Sequence, residues 1–149
     1  MQIETKFHGE MEVSKSDLWQ FPKGMPGFEE EKEFVLLSIE GNAVFRVLQS
    51  VQTPNVAFIV GNPYTFTEDY SFKIDEPTVE LLKIEKPEDI FVLGIISLKD
   101  PFEASTINLQ APVIFHAENK TAKQMIVNDE SFSLRHPIGE SQSSAKEEA

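Results

Sequence analysis

Apolar and polar residues alternate along most of this chain in short runs, and the period is two, as expected for strands with one wet face. Ile3, Thr5 and Phe7 alternate with Gln2, Glu4 and Lys6; His8 and Gly9 make a turn, and Met11 and Val13 return between Glu10 and Glu12. Residues 34–39 and 44–51 flank a polar turn at 40–43 and predict a hairpin. Residues 56–60 and 70–74 predict two further short strands. Residues 90–98 are apolar on both faces, which predicts a central strand covered on each side. Gly94 within it signals a bulge or a close backbone approach. One helix is predicted, opening at Asp75 as N-cap with Pro77 in its first turn and running to Lys83. Residues 131–134 predict a last strand.

The stretch 106–127, TINLQAPVIFHAENKTAKQMIV, holds two apolar segments, 106–110 and 113–117, broken at Ala111 and Pro112. In the first, Ile107 and Leu109 point one way and Thr106, Asn108 and Gln110 the other. Pro112 gives no N–H to a ladder, which places it at an edge, bend or bulge. A polar turn at 118–120 leads to a return at 124–127. On residue type alone, the Asn108 and Gln110 amides are solvated or bonded to neighbouring backbone. The polar face of 106–110 is also open to edge addition by a partner strand. Between the first hairpin and residue 34, FPKGMPGF at 21–28 packs two Pro and two Gly into six positions. It predicts a shaped loop pinned by Phe21, Met25 and Phe28.

Many short strands with turns every eight to twelve residues predict an all-β, mostly antiparallel fold. The expected form is a small β-barrel or sandwich-like single domain over 1–138, with one or two short helices. At 149 residues the chain is long enough for a sizeable core. Residues 139–149 are small and polar, and predict a disordered tail. The absence of Cys excludes a thiolate zinc site and a thiol nucleophile. The opening residues lack the pattern of a secretory signal and the longest apolar run is too short to span a membrane, so a cytoplasmic setting is expected.

Charge changes the picture most. Thirteen basic against 25 acidic residues give a net −12. Such a field repels phosphate backbones and anionic headgroups and draws in basic partners, which argues against direct nucleic-acid or membrane binding. No phosphate loop, nucleophile elbow, metal-ligand spacing or cofactor motif occurs, so neither catalysis nor a cofactor is expected. His116 and Glu118 share a strand face, but an outward His and Glu beside a turn are ordinarily solvated. The residues support an acidic, non-enzymatic binding module.

Three blocks go further. FPKGMPGF at 21–28, TINLQAP through QMIV at 106–127, and FSLRHP at 132–137 together resemble the bacterial flagellar assembly factor FliW family. Met25 stands where Leu is expected, Phe132 where Tyr is common, and His116 where an amide is usual. The resemblance implies a cytoplasmic protein that binds CsrA, a small dimeric RNA-binding repressor, and relieves its block on flagellin translation. It also implies binding of new flagellin in a partner-switching feedback. The alternative is a flagellin-specific chaperone that does not touch the repressor. Under the resemblance, Asn108, Gln110 and Gln124 become a candidate docking face. The acidic residues Glu29, Glu30, Glu31 and Glu33, with Glu85, Glu88 and Asp89, become candidates for electrostatic exclusion of RNA.

Overall fold

The computed structural model describes residues 1–138; the predicted tail, 139–149, lies outside the described residues. The first alternating segments form a small hairpin, β1 (Gln2–Glu4) and β2 (Glu10–Glu12), paired antiparallel with Ile3 opposite Met11. The second hairpin is β4 (Glu33–Ile39) and β5 (Asn42–Ser50), with a register shift at Ser38 and Ile39. Antiparallel β6 (Ala57–Gly61) and β7 (Ile90–Ser97) extend the sheet. Along the far side of β7 lie first β8 (Thr106–Ile107) and then β9 (Val113–His116). β10 (Thr121–Gln124) folds back on β9.

A two-residue strand, β3 (Trp19–Gln20), joins the ends. It pairs antiparallel with β4 and parallel with β10 through Gln20 and Thr121. The ring β3–β4–β5–β6–β7–β9–β10 is therefore closed, and of the expected barrel or sandwich the barrel is the form observed. β11 (His136–Pro137) covers the outer edge of β8.

The strand parity assigns the layers. Phe34 and Leu48, with Val60, Leu93, Val113, Phe115 and Ala122, face inward and meet Trp19, Phe21 and Met25. The opposite face of β4–β6 carries Val35, Leu37 and Val47 against the small hairpin's Ile3 and Val13. Gln49, fully buried, accepts from Lys6 N–H at 3.0 Å and so fastens that hairpin to the barrel. The single α-helix among the described residues, α1 (Glu76–Leu82), starts at the predicted N-cap, where Asp75 accepts from Thr78 N–H at 2.8 Å. Leu82 packs against Ile114, Met125 and Val127 on the outside of β9 and β10.

Several boundaries differ from the alternation. The strand predicted over 106–110 ends at Ile107, because the Asn108 side chain accepts from two backbone N–H groups ahead of it and turns the chain. β8 is paired on both sides, so edge addition there is closed. Residues 131–134 form no strand: the Asp129 carboxylate accepts from the N–H and hydroxyl of Ser131, and the pairing segment is His136–Pro137. Residues 70–74 pair with nothing as a strand among the described residues. Tyr70 is instead held by its ring packing on Phe72 and Phe132 and by its hydroxyl, which donates to Leu109 C=O at 2.6 Å. The return predicted at 124–127 lies earlier, at Thr121–Gln124, although Met125 and Val127 N–H still reach Pro112 and Gln110 C=O. In the 21–28 loop Phe21 and Met25 are buried, whereas Phe28 is exposed and touches Phe58 edge-on. Gly24 has φ +65°, and a Cβ there would sit 2.5 Å from Glu29 O. Gly94 is a close approach: a Cβ would meet Ile107 at 2.7 Å.

Candidate functional site

The structure brings Asn108, Gln110 and Gln124 together around the bend at Ala111 and Pro112. Asn108 Oδ1 accepts from the N–H of Gln110 at 2.9 Å and of Ala111 at 3.1 Å. Gln110 Nε2 donates to Phe132 C=O at 2.6 Å, and Gln124 Nε2 donates to Ala111 C=O at 2.8 Å. All three side chains are half-buried. One end of each amide thus holds the irregular segment between β8 and β9. Asn108 Nδ2 and the Oε1 atoms of Gln110 and Gln124 are the ends left for anything outside.

The acidic groups form two places, not one. Glu31 accepts from the hydroxyls of Ser50 and of Thr53, the latter at 2.9 Å, and Glu33 accepts from Gln20 Nε2 at 2.8 Å. Glu29 accepts from Gly27 N–H, and Glu30 is exposed. Across the barrel, Asp89 accepts from the N–H groups of Glu85 at 3.0 Å and Lys86 at 3.1 Å. Those backbone donors, first of all Glu85 N–H, hold its carboxyl below the usual range. Glu85 and Glu88 are exposed beside it.

The registers fix how far apart the clusters stand. Ile90 lies opposite His116, His116 opposite Thr121, Thr121 opposite Gln20, and Gln20 opposite Glu33. Four inter-strand steps through β9, β10 and β3 thus separate one cluster from the other around the barrel wall. Both flank a face built of β9, β10 and β3. His116, expected to point outward, is buried at 4%. Its Nδ1 accepts from Asn119 N–H at 3.1 Å, and its Nε2 lies 3.8 Å from Asp89 Oδ2. Glu118 is exposed, as expected, and bonds to none of this; of the two residues expected to be solvated, it is His116 that is covered.

Sequence reasoning passed over one further feature, the barrel mouth above the inward-facing core. Arg46 shares the inward face with Leu48 and lies over the Phe91 ring, 6.0 Å from its centroid. Phe91 stacks on Phe115 at 4.9 Å, Trp19 meets both rings edge-on, and Lys120 Nζ lies 4.4 Å from the Trp19 ring. The signal was available: 44–51 reads as an apolar strand with one arginine at a core-facing position.

Among the described residues no group of three His, Cys, Asp or Glu is placed to hold a metal. No helix among them is long and apolar enough to cross a membrane.

The comparisons with known proteins agree with one another. A family model described as FliW protein matches residues 2–138. The flagellar assembly factor FliW of Bacillus licheniformis is 46% identical over 139 residues, covering 93% of this chain and 97% of that protein. The Bacillus subtilis protein of the same name is 45% identical with the same coverage. A crystal structure of the flagellar assembly factor FliW superposes with a TM-score of 0.88 at 36% identity, covering 93% of this chain and 96% of that one.

Proposed function

The chain belongs to the FliW family of flagellar assembly factors, and from that premise we propose that it acts in the cytoplasm by contact, binding the repressor CsrA and displacing its RNA, and binding flagellin as the competing partner. Flagellin that accumulates takes up the factor and frees the repressor; flagellin that is exported releases the factor again. No chemistry is asked of the protein in this cycle. The observation that carries the reading is the pair of acidic clusters that bracket the β9, β10 and β3 wall of a −12 barrel.

A body of this charge docked beside the repressor's RNA groove lowers the local potential and repels incoming phosphates. Every phosphate that the repressor no longer grips lowers RNA affinity and flattens its salt dependence, by about 0.7 in logarithmic slope for a single strand. The docking face would include the free amide ends at Asn108, Gln110 and Gln124.

The clusters themselves say which acids to reverse. Glu31 and Asp89 accept bonds that hold local structure, whereas Glu30, Glu85 and Glu88 are exposed and accept none among the described residues. A chain carrying Glu30→Lys, Glu85→Lys and Glu88→Lys is expected to bind CsrA still but to release RNA poorly in a competition gel-shift. Full RNA release by that variant would refute the electrostatic account. A pull-down with purified CsrA, repeated with excess flagellin, tests the wider cycle. Capture of flagellin without any capture of CsrA would leave the flagellin-specific chaperone as the function.

A further inference from the structure

We propose that the mouth of the barrel is a binding site for an acidic side chain carried on an extended peptide segment, with the carboxylate received by Arg46 above Phe91 and the segment's backbone laid along the open edge of β7. The inference goes beyond the partner reading above and does not depend on which protein supplies the segment.

The first support is the state of Arg46. This chain holds 25 acidic residues against 13 basic ones, yet the half-buried Arg46 guanidinium has neither an ion pair nor a hydrogen bond among the described residues. Five planar N–H donors stand over an aromatic face with no acceptor. Two acids do line the mouth, Glu12 and Asp17, and both are engaged elsewhere. Glu12 pairs with the chain's amino group at 3.1 Å, and Asp17 accepts from Ser14 N–H at 3.0 Å. Lys120, over Trp19, adds a second cation on the same rim.

The second support is space. Two adjoining hollows of about 540 and 560 Å³ share Arg46 and Phe91. The one bounded by Asn62, Tyr64 and β7 has no acid in its lining.

The third is the backbone. β6 leaves β7 after the pair Gly61 and Gly94, so among the described residues Ile90–Leu93 have a neighbouring strand only on the β9 side. Ala117 N–H donates to Asp89 C=O at 3.0 Å, and this sets the alternation of the β7–β9 ladder. The N–H and C=O of Val92 consequently point to the open side, toward the hollow that Arg46 overhangs. An unpaired strand edge accepts a peptide backbone, and a charge-assisted fork beside it selects one side chain of that peptide. The guanidinium geometry suits a single planar carboxylate, and the −12 field disfavours a polyphosphate.

The chain's one tryptophan, Trp19, lines the mouth and reports on it directly. The probe is a seven-residue peptide of valine and threonine, blocked at both ends, with one central glutamate, alongside its glutamine twin. Each is titrated by Trp19 fluorescence and by the amide resonance of Val92. The glutamate peptide is expected to saturate with a Kd at least tenfold below its twin and to shift the Val92 amide. Arg46→Gln is expected to erase that tenfold difference while thermal melting stays cooperative, and Arg46→Lys to keep part of it. The proposal is overturned if wild-type protein binds the two peptides alike, a result that needs no variant to fold. It is overturned equally if the Val92 amide does not move, or if inorganic phosphate at the same concentration displaces the glutamate peptide.

Discussion

Asn108 is where a structural and a partner-facing role can be separated. Its Oδ1 accepts from two backbone donors, at 2.9 and 3.1 Å, and the second of these belongs to the buried Ala111. Asn108→Ala strands both. A buried donor left unpaired costs about 1–3 kcal/mol, and the half-buried Gln110 N–H recovers part of its loss from water. The sum is a loss of about 2 kcal/mol, or roughly 6 °C in melting temperature for a chain this long. Asn108→Asp keeps the accepting oxygen and removes the Nδ2 donor, so it should stay within about 0.5 kcal/mol of wild type. Urea unfolding followed by Trp19 fluorescence measures both, with an unchanged m-value as the control for two-state behaviour. An alanine variant that unfolds at the wild-type midpoint would refute this account, and so would an aspartate variant as damaged as the alanine one. With stability held, the aspartate variant then isolates the outward end of the amide: weakened partner capture would place Nδ2 in the docking face.

Two further outcomes follow from the geometry. Gly24→Ala combines a left-handed φ of +65° with a Cβ 2.5 Å from a backbone oxygen, and should cost more than about 2 kcal/mol, read as a lowered urea midpoint; a midpoint within error of wild type would show that the loop relaxes freely. Asp89 and Asp129 have folded pKa values held below the ordinary 3.8, by Glu85 N–H and by the Ser131 hydroxyl respectively. The stability they contribute is complete above that pH and is lost as pH falls through the folded values. Asp89→Asn should therefore flatten the acid limb of a urea-midpoint series between about pH 6 and 2.5, and a limb parallel to wild type would contradict this.

Elements specified by local chemistry were legible in the chain: the Asp75 cap with Pro77, the hairpin at 40–43, the central apolar run at 90–98, and the close approach at Gly94. What alternation could not show is where a polar side chain takes a backbone bond away from a ladder. Asn108 and Asp129 both do so, and each ended or cancelled a strand that the period-two pattern predicted. The closure of the barrel was also hidden. It rests on the two residues of β3 and one parallel pair, Gln20 with Thr121, too short to leave a periodic trace. His116 misled for a related reason. Alternation correctly put it on the outer face of β9, but α1 and the Asp89 turn cover that face, and nothing local announces such a cover.

The same closure decides what the charge means. A net −12 read from composition has no position, and an acidic surface spread evenly would favour solubility alone. The parallel step at Gln20 brings the start of β4 and the start of β7 to opposite ends of one row, so that Glu29–Glu33 and Glu85–Asp89 bracket β9, β10 and β3. Between them sits the turn carrying Lys120, whose ammonium rests on Trp19 at the edge of the mouth. A basic partner drawn in by the two clusters would be centred over that turn. Lys120→Glu tests this ordering, since it extends the negative field without touching either cluster. If attraction governs the encounter, it should speed CsrA association at low salt and leave the effect screened near 0.15 M, where the Debye length is about 8 Å. Slower association at low salt would mean that Lys120 itself meets an acidic group of the partner.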